Sequence, residues 1–140
     1  MEEARQPGLQ IEKIDPRILY AEDEAAVRDM FTRLMGKRFS RVEAVENGLQ
    51  LLEKLQSGEN FGCIVMDDNM PGKRGLEVFR ELRDAGRLET MPIILLTAVY
   101  TEDIKNEIER GGGFYLNKPI TGAQLNETIE KAVEAKKGKE

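Results

Sequence analysis

Four stretches of this chain carry side chains that could do chemistry, and each follows a short apolar run. Glu22 and Asp23 follow Ile18-Leu19-Tyr20-Ala21. Asp67, Asp68 and Asn69 follow Cys63-Ile64-Val65-Met66, and Pro71, Gly72 and Gly75 then turn the chain into a loop. Thr97 closes Pro92-Ile93-Ile94-Leu95-Leu96, and Lys118 follows Phe114-Tyr115-Leu116-Asn117. If these places share one edge of a sheet, three carboxylates converge there, repel, and raise one another's pKa. A divalent cation resolves that repulsion, and an all-oxygen set suits Mg²⁺. One carboxylate would remain a nucleophile able to accept a phosphoryl group. The cation would hold phosphoryl oxygens, Lys118 would add a compact positive charge, and Thr97 could donate a hydrogen bond.

Each residue alone has a plainer role. Acids such as Glu22 and Asp23 favour helix starts. Thr97 would be a strand-end hydroxyl, Lys118 a surface charge and Tyr115 a half-buried strand aromatic. Joint placement after successive apolar runs is what points to a site.

The elements that must position these residues alternate. The runs at 18–21, 42–45, 63–67, 92–97 and 114–117 have strand length, and the continuous apolar run before Thr97 suits a central parallel strand. Between them lie helical stripes: Val27, Met30, Phe31 and Leu34; Leu51, Leu52 and Leu55; Leu76, Phe79 and Leu82; Ile104 and Ile108; Leu125, Ile129, Ala132 and Val133. Asn47 is placed to cap the second helix, and Thr121 with Gln124 forms a capping box for the fifth. Gly111-Gly112-Gly113 ends the fourth. The pattern predicts an α/β fold: a three-layer, doubly wound (βα)5 flavodoxin-like architecture with a five-stranded parallel sheet in the order 2-1-3-4-5. In that order the first and third strands are neighbours and their carboxylates meet at the switch point. Residues 1–16 are expected to be an extension, in which Leu9, Ile11 and Ile14 could pack as a flap. Residues 17–135 form the domain and 136–140 a solvated tail.

The chain has 140 residues, a formal net charge of −5, one cysteine and no histidine. That length favours one domain with its own core. The negative charge argues against nucleic acid and anionic membranes. A single cysteine excludes an internal disulfide, and Cys63 in its apolar run is expected to be a buried small hydrophobe. Without an apolar run of spanning length or a signal-like start, the expected location is cytoplasmic. Any phosphohistidine in the chemistry must belong to a partner.

These residues resemble the receiver domains of two-component response regulators. The motifs are the acidic pair Glu22-Asp23, the acceptor Asp67 four residues before Pro71, Thr97-Ala98, and Tyr115 three residues before Lys118-Pro119. The resemblance implies that Asp67 is the phosphoacceptor. It implies Mg²⁺ held by Asp23 and Asp67 side chains, by the Asn69 backbone carbonyl, and by Glu22 through water. Thr97, Ala98 and Lys118 would bind the phosphoryl group, Thr97 and Tyr115 would switch, and the Lys118-Pro119 bond would be cis. Phosphorylation would repack the face of the fourth helix, fifth strand and fifth helix. The implied partners are a sensor histidine kinase or histidine phosphotransfer protein and an output protein, with the chain a monomer or a phosphorylation-dependent dimer.

The chain is then expected to be a stand-alone receiver that turns over no external metabolite and so is not an enzyme in that sense. Some positions depart from the family pattern: acidic Asp68, apolar Val99, and Arg110 before the triple glycine. Asp68 either faces solvent or adds negative charge that weakens phosphorylation. The alternatives are a pseudo-receiver that never needs phosphorylation, an aspartate-nucleophile phosphatase, which should show Asp-x-Asp-Gly-Thr where this chain has Asp67-Asp68-Asn69-Met70-Pro71, and a flavodoxin-like electron carrier, which should show a phosphate-cradling loop after the first strand.

Overall fold

The computed structural model describes residues 15–137. The elements run β1 (Arg17–Ala21), α1 (Ala25–Gly36), β2 (Arg41–Val45), α2 (Gly48–Gln56), β3 (Cys63–Asp67), α3 (Gly75–Asp84), β4 (Ile93–Thr97), α4 (Glu102–Arg110), β5 (Phe114–Asn117) and α5 (Gly122–Lys136). The strands form one parallel sheet in the order β2-β1-β3-β4-β5, as the alternating pattern predicts. The expectations for Leu9, Ile11 and Ile14 lie outside the described residues.

Successive side chains of a strand point to opposite faces, and here the two faces build two cores. Ile18 and Tyr20, Cys63 and Val65, and Ile94 and Leu96 pack with Phe31 and Met35 of α1 and with Leu125, Ile129 and Ala132 of α5. Leu19 and Ala21, Ile64 and Met66, and Ile93 and Leu95 pack with Leu51 of α2, Val78 and Phe79 of α3, and Ile108 of α4. Every residue of β3 and β4 is buried, which is why these runs lack polar alternation. Asn47 caps α2 by accepting from the Gln50 N–H at 2.9 Å, and Thr121 and Gln124 satisfy each other's backbone N–H at the start of α5.

Two helices seat differently from their sequence stripes. In α1, Met30 is 42% exposed, while Met35 is buried at the end of the Val27–Phe31–Met35 row. That i, i+4 row packs on the sheet, and Met30 lies one position round the helix from it. In α3, Val78 is fully buried and Leu76 only half-buried, because α2 approaches closely enough that a Cβ on Gly48 would lie 2.8 Å from Val78 Cγ2. A short 3₁₀ turn at Arg87–Glu89, unsignalled in the sequence, buries Leu88 before β4.

The triple glycine after α4 has a packing cause. A Cβ on Gly111 would lie 2.9 Å from the Phe79 ring, and one on Gly113 would lie 2.7 Å from it. Gly112 between them has φ of +92°, where side chains are strained. The sharp return from α4 into β5 is thus moulded over a buried phenylalanine. Gly113→Ala is expected to lower stability by about 2 kcal/mol through overpacking. Gly36→Ala, at the end of α1 with open space around it, should instead be neutral or raise stability by up to about 1 kcal/mol. Urea unfolding of the two variants beside the wild type checks both.

Candidate functional site

The site forms where β1 and β3 end side by side, with β5 supplying a cation across the edge. The alternation that builds the core also sets which face each polar residue takes. Glu22 continues the row Ile18–Tyr20, Asp67 the row Cys63–Val65, and Lys118 the row Phe114–Leu116, all on the α1/α5 side. Asp68 continues Ile64–Met66 on the α2/α3/α4 side, the face to which Tyr115 also belongs. Parity therefore separates Asp67 from Asp68 although they are neighbours in sequence.

Past the strand ends, where parity no longer applies to Asp23, carboxylate oxygens of Glu22, Asp23 and Asp67 all lie within 4.8 Å of one another, a spacing that could hold one metal ion. Lys118 Nζ forms an ion pair with Asp67 and lies 4.0 Å from Glu22 Oε1. Its backbone N–H donates to the Thr97 carbonyl at 2.8 Å, which fixes the start of the loop after β5. The Lys118–Pro119 peptide is cis. Glu22 Oε2 accepts from the Glu24 N–H at 3.1 Å. Glu22 Oε1 is buried with no hydrogen-bond partner.

The electrostatics follow from this placement. Glu22 is 2% exposed and Asp67 4%. Burial pushes the Glu22 carboxyl up to about 7, with the charge of Asp67 adding to the rise and the Glu24 N–H and Lys118 opposing it. Asp67 is also raised, first by burial, against the pull of Lys118 and of the Asn69 backbone N–H. One lysine does not offset the acids gathered around it.

On the second face, Asp68 does not face solvent, and its charge is not left bare beside Asp67. It is 5% exposed. Its Oδ1 accepts from the Leu76 N–H at 3.0 Å, and its Oδ2 pairs with Arg74 Nη2 at 2.6 Å. Arg74 occupies the N-cap position of α3, where an arginine side chain has no acceptor to offer. Asp68 supplies that acceptor from six residues earlier. Gly75 allows the close return: a Cβ there would lie 2.6 Å from the Asp67 carbonyl oxygen and 2.7 Å from Leu95.

The remaining expected residues meet at Val99. The Thr97 hydroxyl accepts from the Val99 N–H at 3.1 Å and donates to the Val99 carbonyl at 3.3 Å. The Tyr115 hydroxyl donates to the same carbonyl at 3.2 Å, and its ring stacks edge-on against Tyr100. Thr97 is buried, whereas Ala98 is exposed just past the end of β4. The backbone of Val99 thus joins two side chains 18 residues apart in sequence, Thr97 and Tyr115. No local pattern could signal that, because the link runs through a main-chain carbonyl.

A sequence model of the response regulator receiver domain matches residues 18–130. The chain belongs to the response regulator receiver family. It is 33% identical over 124 residues to the chemotaxis protein CheY of Pseudomonas aeruginosa, covering 87% of this chain and 99% of that one. It is 30% identical over 120 residues to CheY-3 of Vibrio cholerae, covering 84% and 92%. Among solved structures, the Francisella response regulator 1452 receiver domain superposes with a TM-score of 0.78 at 22% identity, covering 87% of this chain and 99% of that one. The chemotaxis response regulator CheY4 of Vibrio cholerae superposes with a TM-score of 0.72 at 26% identity, covering 83% and 97%. This is a CheY-like receiver domain of two-component signalling. Among the described residues of the receiver, no helix is long and apolar enough to cross a membrane.

The raised Glu22 gives the metal-free receiver a pH-dependent stability. A carboxyl whose folded pKa lies above its unfolded value binds its proton more tightly when folded. That contribution is complete below the ordinary value of 4.5 and is lost as pH rises through about 7. In the presence of EDTA, Glu22→Gln should be more stable than the wild type at pH 8 by about 2 kcal/mol. The advantage should vanish near pH 4.5. Urea unfolding at the two pH values measures it.

Proposed function

We propose that this receiver accepts a phosphoryl group on Asp67 from the phosphohistidine of a sensor kinase or histidine phosphotransfer protein. The observation that carries this is the setting of Asp67: a carboxylate at the end of a buried strand, ion-paired with Lys118 and within metal-holding distance of Glu22 and Asp23. An Asp67 carboxylate oxygen attacks phosphorus, the phosphorus–nitrogen bond to the partner's imidazole breaks, and an aspartyl phosphate forms. Water later cleaves it to inorganic phosphate and the free carboxylate. The protein promotes both steps on itself and turns over no external metabolite.

The residues fit Mg²⁺. The donors are all oxygen, the buried Glu22 Oε1 lacks a partner, and both acids are raised, first by burial and then by the neighbouring carboxylates. Asp23 and Asp67 would hold the ion through their side chains, Asn69 through its backbone carbonyl, and Glu22 through water. Bound there, Mg²⁺ supplies charge that offsets the arriving phosphoryl oxygens. Lys118 neutralises charge from the β5 side, and Thr97 and Ala98 lie at the end of β4 to meet the phosphoryl group. To reach it, the Thr97 hydroxyl must exchange its Val99 partner for a phosphoryl oxygen. That exchange disturbs the carbonyl which Tyr115 also holds. The signal would then leave through α4, β5 and α5, beside the exposed Val99 and Tyr100. Contact with an output protein, or a phosphorylation-dependent dimer, would read it out. The protein would do this in the cytoplasm.

The placement of Asp68 bears on two alternatives. Turned to the other face and paired with Arg74, it does not crowd Asp67 with bare charge, which weakens the case for a pseudo-receiver. Nor is it positioned as the second acid of an aspartate-nucleophile phosphatase. Incubation with acetyl phosphate and Mg²⁺ should add one phosphoryl group by intact mass, absent from Asp67→Asn and from EDTA-treated protein. If no adduct forms and beryllofluoride also fails to bind, the phosphoacceptor assignment is wrong.

A further inference from the structure

The loop after β3 is anchored by an unusual pair. Asp68 is held at every polar atom. Its N–H donates to the Leu96 carbonyl at 2.8 Å, and its carbonyl accepts from the Met70 and Gly75 N–H groups, both at 3.0 Å. Its carboxylate takes the Leu76 N–H and the Arg74 guanidinium. The bond from the Met70 N–H to the Asp68 carbonyl spans two residues and encloses Asn69 in a three-residue turn. The Asn69 backbone N–H helps to hold down the raised Asp67 carboxyl. Pro71 restricts the chain just beyond. The direction of the Asn69 carbonyl is therefore set by the residue before it, and that residue is locked by α3 and Arg74.

We propose that Asp68 and Arg74 act as one positioning unit that aims the Asn69 carbonyl at the metal site. The inference rests on the receiver reading above and assigns these two residues a part in it. Neither touches the reacting atoms. Asp68 replaces the missing N-cap acceptor of α3, and Arg74 holds the Asp68 carboxylate in the rotamer that caps the helix. Without the pair, the first turn of α3 keeps only its backbone tie to the end of β3, the Gly75 N–H on the Asp68 carbonyl, and the turn around Asn69 is held less tightly.

A plainer account treats both side chains as through-space charges near a dication, and the two accounts differ in sign at Arg74. Removing a nearby cation should tighten Mg²⁺ binding if only charge matters. Removing a positioning group should weaken it. Arg74 is 60% exposed, so Arg74→Ala is expected to fold. Mg²⁺ titrated into the full chain by calorimetry should bind Arg74→Ala and Asp68→Ala about tenfold more weakly than the wild type, the low end of what loss of an outer-shell support costs. The double variant should bind no more weakly than Asp68→Ala alone, since both residues serve one unit. Arg74→Lys, which keeps the positive charge but not the planar guanidinium fork, should recover part of the loss. In metal-free protein, amide hydrogen exchange over residues 69–76 should accelerate in both single variants.

Unchanged or tighter Mg²⁺ binding by folded Arg74→Ala would overturn the inference while leaving the receiver reading intact. Failure of the wild type itself to bind Mg²⁺ would overturn the reading on which the inference rests. A loss of thermal stability with Mg²⁺ affinity within about twofold of wild type would reduce the pair to a helix cap and also overturn it.

Discussion

Burying carboxylates at one edge of a sheet with a single lysine to offset them is the constraint on which the site depends. Glu22 and Asp67 lose solvation because β1 and β3 lie side by side with α1 and α5 packed against their shared face. Lys118 is drawn to Asp67, yet both acids stay raised. Such a site is short of positive charge until a cation arrives, and its affinity for a cation and its electrostatic strain have one origin. An apolar sheet edge would be more stable and would do nothing.

The two faces of the sheet divide the labour. Acid and lysine lie on the α1/α5 side, with the phosphoacceptor candidate Asp67 among them. Asp68 and Tyr115 lie on the other side, with α3 and α4. Any event at Asp67 must cross the sheet to reach that second side, and the covalent neighbour Asp68 and the Val99 carbonyl are the points of crossing. The helix most exposed to such a change is α4, which buries only Ile108 fully and returns to β5 over the Phe79 ring. A weakly buried helix beside a rigid sheet is a physically reasonable element to move, because little apolar surface must be re-exposed.

Much of the fold was legible because its signals are local. Apolar runs of strand length, the capping residues Asn47, Thr121 and Gln124, and the alternation of elements each reflect chemistry within a few residues. The candidate residues Glu22, Asp23, Asp67, Thr97 and Lys118 were legible for the same reason, since each closes or follows such a run. Even the side taken by Asp68 is implicit in strand parity, though its partner is not.

What the sequence by itself determined is periodicity: where strands end, which residues share a face, and so which acids meet. What only the tertiary structure decided is partnership between distant segments. Arg74 pairing with Asp68, Thr97 and Tyr115 sharing the Val99 carbonyl, Met30 left outside while Met35 went in, and glycines moulded over Phe79 all depend on how closely whole elements approach. Those distances are set by the packing of complete side chains across the core, and no pattern confined to one stretch of chain carries them.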